Sequence, residues 1–181
     1  MHGALTELIE AIHPVDALEQ AHIVYTLAWL KSGAPLCRIE KPATPPQHLV
    51  SYFVVIDPSQ QKLLLVDHKQ ACLWLPSGGH VEPNEHPQAT VRREAKEELG
   101  LDASFLWPEP LFLTVTQTVG RTAGHTDVSF WYALCGNCGD PLFYDREEFH
   151  AIAWFSLDRL PLFRTDPHLT RFMTKLMPRL T

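Results

Sequence analysis

The stretch from Pro87 to Leu99 has no Pro or Gly after its first residue and is filled with Glu, Arg, Lys, Ala and Gln. That composition predicts a helix, with Pro87 tolerated in the first turn and Gly100 as the C-terminal stop. Glu94, Glu97 and Glu98 then stand at i, i+3 and i+4, so their carboxylates project from one face. Like charges so placed destabilise a helix by about 0.2 to 0.5 kcal/mol per pair, and more when the face is partly buried. Something must offset the repulsion. Hard divalent cations such as Mg²⁺ or Mn²⁺ take oxygen ligands and are held by a few carboxylates together with a substrate's phosphates.

Flanking residues sharpen this reading. Arg93 offers a planar guanidinium that can clamp a neighbouring carboxylate, and Glu85 near the helix start is a partner for it. Val91, Ala95 and Leu99 lie on another side and would anchor the helix to a sheet. Gly78 and Gly79 let the backbone approach a ligand closely, so a carbonyl there can serve as a further metal ligand. A lone Glu-Glu pair would be read as solvated helix surface. The full constellation is more specific.

Gly79, Glu85, Arg93, Glu94, Ala95, Glu97, Glu98, Gly100 and Leu101 match, without insertion, the Nudix box: Gly, five residues, Glu, seven residues, Arg-Glu, an apolar residue, any residue, Glu-Glu, any residue, Gly, apolar. The chain thus resembles the Nudix (MutT-type) hydrolases, with Ala95 the one mild departure at its apolar position. The resemblance implies an α/β/α sandwich around a mixed β-sheet. It also implies divalent cations, Mg²⁺ or Mn²⁺, and attack of water on phosphorus in a nucleoside diphosphate linked to another group. Carried over by position, Glu94, Glu97, Glu98 and the Gly79 carbonyl would be metal ligands, while Arg93 and Glu85 would orient Glu94. The general base varies within the family. Nudix chains often carry an acidic residue ahead of a Trp-containing last strand, which points to Glu148 before Trp154, with Glu147 as runner-up.

The rest of the chain frames that motif. Leu5 to Lys31 carries apolar residues at helical spacing (Leu5, Leu8, Ile9, Ile12, then Leu18, Ala21, Val24, Leu27, Ala28 and Leu30), broken by Pro14, and predicts two helices. Gly33 to Gln47, with Pro35, Pro42, Pro45 and Pro46, reads as an extended surface connector. Strands are predicted at His48 to Asp57, Leu63 to Val66, Leu73 to Leu75, Leu111 to Val119, Val128 to Leu134 and Phe149 to Phe155, with a closing helix from His168 to Leu180. The expected division is therefore a helical extension and Pro-rich connector at 1–47 and a Nudix domain at 48–181. The helical pair is expected to pack on its own domain or to form a homodimer contact.

Charge and composition narrow the partners. A net charge of −6 with scattered Lys and Arg gives no basic footprint for duplex nucleic acid. A polyanion can still be bound when cations sit between carboxylates and phosphates, so a small nucleotide-type diphosphate is the expected substrate. No basic stretch followed by an apolar run opens the chain, and no apolar run approaches the roughly 20 residues that span a bilayer; the expected location is cytoplasmic, without a membrane partner. Arg121, His125 and Asp127, in the polar segment from Gly120 to Asp127, are candidates to meet phosphate, base or sugar. Cys72 reads as a buried thiol, and Cys135 with Cys138 as reduced thiols at a hairpin. Subfamilies acting on ADP-ribose often place a Pro where this chain has Gln117, and those acting on dinucleoside polyphosphates tend to have a nearby Tyr that is missing here. Two further readings stay open: a nucleotide-sensing, non-catalytic domain of the same fold, and a diphosphate-ester isomerase, which would need a Cys and Glu pair.

Overall fold

The computed structural model describes residues 2–40 and 43–180, apart from the side chain of Thr122. Met1, Lys41, Pro42 and Thr181, which fall within the two segments divided at residue 47, lie outside the described residues. Helices α1 (His2–Glu10) and α2 (Ala17–Lys31) lead into β1 (Gln47–Asp57), β2 (Lys62–His68), β3 (Leu73–Leu75) and β4 (Ser77–His80). Helix α3 (Pro87–Leu99), β5 (Phe112–Gln117), β6 (Thr126–Cys135), β7 (Phe149–Ser156) and α4 (Leu169–Leu180) complete the order.

The strands form one mixed sheet in which β1 and β6 run parallel and the remaining pairs are antiparallel. Strand β1 is the organiser. Its first half pairs with β4 and its second half with β2, while its other edge carries β6 along its length. Period-two alternation then sorts its side chains. Leu49, Phe53 and Val55 join the core under α3, with Val91, Ala95 and Leu99. Val54 and Ile56 join the core under α4, with Leu169, Phe172 and Leu176. Helices thus cover both faces, as the α/β/α expectation requires.

The N-terminal helices belong to the first of these cores: Leu5, Ile9, Ile12, Ile23 and Leu30 are all buried within it. The face of α2 differs from the one its apolar residues predicted. Glu19, Ile23, Thr26 and Leu30 point inward, whereas Leu18, Ala21, Val24 and Ala28 are exposed. Glu19 explains the shift. Its carboxylate, 0% exposed, accepts from the backbone N–H groups of Val15 (2.7 Å) and Leu113 (3.3 Å) and from Lys175 Nζ (2.7 Å), so a charge holds a core position. The connector is also less superficial than expected, since Leu36 and Cys37 are buried and Leu36 O accepts from Leu49 N–H. Cys72, expected inside, is exposed in a turn at φ 59°, because the strand it would have extended ends at Leu73. Among the described residues no helix is long and apolar enough to cross a membrane.

Candidate active site

Helix α3 begins and ends where its sequence signals lie. His86 caps it through Nδ1, which accepts from Gln88 N–H, Pro87 opens the first turn, and Gly100 closes it at φ 67°. Val91, Ala95 and Leu99 are fully packed, which fixes the rotation of the helix and turns Glu94 and Glu98 toward β4. The Gly-rich segment, outside the strands predicted from the sequence, is itself a short strand. It is held antiparallel to β1 with Phe53 opposite Ser77 and Ser51 opposite Gly79. Alternation along β4 directs Ser77 and Gly79 at α3 and His80 at the other face.

Ser77 Oγ donates to Glu98 Oε2, and Gly78 N–H donates to the same oxygen at 3.2 Å. Glu94 lies over Gly79, where an added Cβ would stand 2.0 Å from Oε1. Glu97 projects outward, with its side chain 61% exposed. Arg93 ties the cluster together. Its guanidinium grips Glu85 with two bonds of 3.0 Å, donates to Glu94 Oε1 at 2.6 Å and reaches the His80 carbonyl at 3.1 Å. Glu85 is fixed in turn by Thr90 Oγ1 and by the N–H of Glu82.

The electrostatics show an unmet demand for positive charge. Arg93 is raised above its usual value, chiefly by its bond to Glu85, yet Glu94 is also raised, because burial outweighs its bond to Arg93 and Glu97 and Glu148 repel it. Burial pushes Glu98 higher still, with Glu94 and Glu148 adding to the effect. One guanidinium does not balance these carboxylates. Glu148, on the loop that leads into β7, is therefore close to both buried glutamates, and Glu147 is exposed beside it.

The segment from Gly120 to Asp127 divides. Arg121 is exposed on a 3-10 turn, anchored by its N–H to Gln70 O (3.0 Å). His125 and Asp127 turn inward and meet His48 and His80. Burial, together with Arg38, holds the His80 ring down to a pKa of about 3. Sequence reasoning did not single out His48 or Ser77. Ser77 could be found from its place ahead of the glycines once β4 is read as a strand. His48 carries no local signal, since only the parallel register of β1 and β6 sets it opposite Asp127.

A three-layer sandwich whose acidic helix faces a glycine strand is the arrangement that the Nudix resemblance led one to expect. Comparison with known proteins agrees: the NUDIX domain family model matches residues 47–176, so the chain belongs to the Nudix family. Similar solved structures include a NUDIX-family hydrolase from Clostridium perfringens, with TM-score 0.59 and 22% identity over 74% of this chain and 98% of that one. A MutT NUDIX hydrolase from Burkholderia pseudomallei aligns with TM-score 0.55 and 23% identity, over 72% of this chain and 98% of the other. The dihydroneopterin triphosphate pyrophosphohydrolase of E. coli aligns with TM-score 0.51 and 14% identity, over 68% and 84%. At these identities the likeness is one of fold. No curated protein matches the chain in sequence.

Proposed function

We propose that this Nudix protein is a Mg²⁺- or Mn²⁺-dependent hydrolase that cleaves the diphosphate linkage of a nucleoside di- or triphosphate or a related nucleotide derivative. The observation that carries the reading is the convergence of Glu94, Glu98 and the glycine strand around a charge deficit that Arg93 does not fill. The donor set fits a hard cation: carboxylate oxygens from Glu94, Glu97 and Glu98 and the backbone carbonyl of Gly79. Removing the β-carbon at Gly79 is what gives the Glu94 carboxylate its place beside that strand.

Mg²⁺ bound there supplies charge neutralisation for the diphosphate and eases deprotonation of an attacking water. The chain's own contribution is positioning. Both bonds to Glu98 go to Oε2, so Oε1 is the oxygen that faces a cation. Arg93, braced by Glu85, fixes the rotamer of Glu94 and orients it for coordination. Glu148 is the proposed general base: exposed to water, yet near Glu94 and Glu98, it accepts the proton of the nucleophile. Arg121, exposed on its turn, is proposed to meet the substrate's phosphates.

The test is incubation with Mg²⁺ and a panel of nucleoside di- and triphosphates, nucleotide sugars and related diphosphates, with product identification. Release of phosphate, pyrophosphate or a nucleoside monophosphate by wild type and its loss in Glu98→Gln support the reading. Turnover of no panel member, or equal turnover by the variant, overturns it.

A further inference from the structure

On the face of the sheet opposite α3, the ends of β1, β4 and β6 bring His48, His80, His125 and Asp127 together, each offering one ligand atom within 4.8 Å of the others. These residues come from three strand ends and are separated from the glutamates by the sheet itself. His48 is 0% exposed, and the Asp127 side chain 14%.

Three of the separations match those within a coordination shell. His48 Nε2 and His125 Nε2 each lie 3.3 Å from Asp127 Oδ1, and His48 Nε2 lies 3.0 Å from His80 Nε2. Zinc bound to nitrogen at about 2.0 to 2.1 Å in a tetrahedron sets neighbouring ligand atoms about 3.3 Å apart. The outer bonds of the rings point the same way. His48 Nδ1 donates to the Pro45 carbonyl at 3.0 Å, an outer bond that leaves Nε2 facing the cluster. His125 Nδ1 meets Thr118 Oγ1 at 3.2 Å, so this ring too is held by its outer nitrogen. Nε2 of His48 and Nε2 of His125 converge on Asp127 Oδ1, a buried oxygen with no hydrogen-bond partner among the described residues. A cation placed among these atoms would satisfy the carboxylate oxygen and both ring nitrogens at once. The outward bonds of both rings are also the kind that orient metal-binding imidazoles.

We propose that His48, His80, His125 and Asp127 form a structural zinc site, distinct from the carboxylate site on α3. Four protein ligands close the shell, the arrangement of a structural rather than a catalytic zinc. The ion clamps the ends of β1, β4 and β6, and through His80 it steadies the strand that carries Gly79.

The experiment is titration of the metal-stripped full-length protein with Co²⁺ in excess Mg²⁺, reading the visible bands of tetrahedral Co²⁺, followed by Zn²⁺ competition and elemental analysis. Wild type should take up one equivalent and give intense tetrahedral bands that zinc abolishes, and Zn²⁺ should raise its melting temperature. Glu98→Gln should behave identically, because the carboxylate site is elsewhere. Asp127→Asn and the less buried variant His80→Gln should lose the bands and weaken zinc binding more than tenfold, with circular dichroism confirming that they fold. Weak octahedral spectra from wild type, loss of uptake in Glu98→Gln, or unchanged uptake in folded Asp127→Asn and His80→Gln would each overturn the assignment. If the two ligand variants do not fold, the wild-type and Glu98→Gln titrations still decide it. Hydrolysis in Mg²⁺ is read separately, so failure here leaves the proposed reaction standing.

Discussion

Gly79 and Glu94 occupy one space: the place where a β-carbon would stand on Gly79 lies 2.0 Å from Glu94 Oε1. The neighbouring Gly78 is crowded differently, at φ 146°, with its absent β-carbon 2.2 Å from the Ser51 carbonyl. Adjacent glycines should therefore fail in different ways. In Gly79→Ala the end of a flexible side chain can swing aside, so the fold persists while Glu94 is displaced and turnover falls by about a hundredfold or more. In Gly78→Ala the obstacle is backbone and the φ disfavours a side chain, so urea unfolding should report a loss above about 2 kcal/mol.

Arg93 joins Glu85, Glu94 and the His80 carbonyl in a geometry that a planar fork satisfies and a point charge does not. Arg93→Lys should consequently behave much like Arg93→Ala. Isothermal titration with Mn²⁺ should show affinity reduced about 10- to 100-fold in both. A lysine variant with wild-type affinity would remove the clamp from the account.

Glu148 is exposed. Glu148→Gln should leave the melting temperature unchanged and lower kcat by about 10² to 10⁴ with little change in KM. If Glu147→Gln produces those effects and Glu148→Gln does not, the base is the neighbouring carboxylate.

Lys175, 9% exposed, is the cation for the fully buried Glu19. Lys175→Met leaves that carboxylate without a counter-charge, and removing one partner of a buried pair costs about 3 to 5 kcal/mol. Chemical denaturation should show the loss, and Mg²⁺ affinity at α3 should be unchanged in the folded protein.

His168 accepts from Arg171 Nη1 at 2.9 Å, and burial, reinforced by Arg171, lowers its pKa from 6.5 to about 4. Between those values the unfolded chain takes up a proton that the folded chain refuses. Stability from this group is thus full above pH 6.5 and is lost as pH falls toward about 4. His168→Asn should have a shallower dependence of unfolding free energy on pH across that window. An unchanged slope would mean the ring does not stay neutral.

Helix α3 was legible to the residue because its signals are local: Pro87 at the start, Gly100 at the end and an unbroken run of helix formers between them. Strand β4 was not, because Ser77, Gly78 and Gly79 have weak strand preference and pair only where β1 supplies an edge. The inward face of α2 was misplaced for a related reason. A glutamate reads as solvent-facing until Lys175, Val15 and Leu113, two of them distant in sequence, are known to surround it. The carboxylates of the candidate site were visible in a short motif, whereas the histidine cluster depends on the register between β1 and β6, which no local pattern encodes.

The ties from α2 to α4, Glu19 with Lys175 and Asp16 with Arg171, have a consequence for how the molecule is made. While the chain is still emerging from the ribosome, α2 exists before its cations do. Neither ion pair can form before Arg171 and Lys175 have been synthesised, so the bond between these helices is among the last to close.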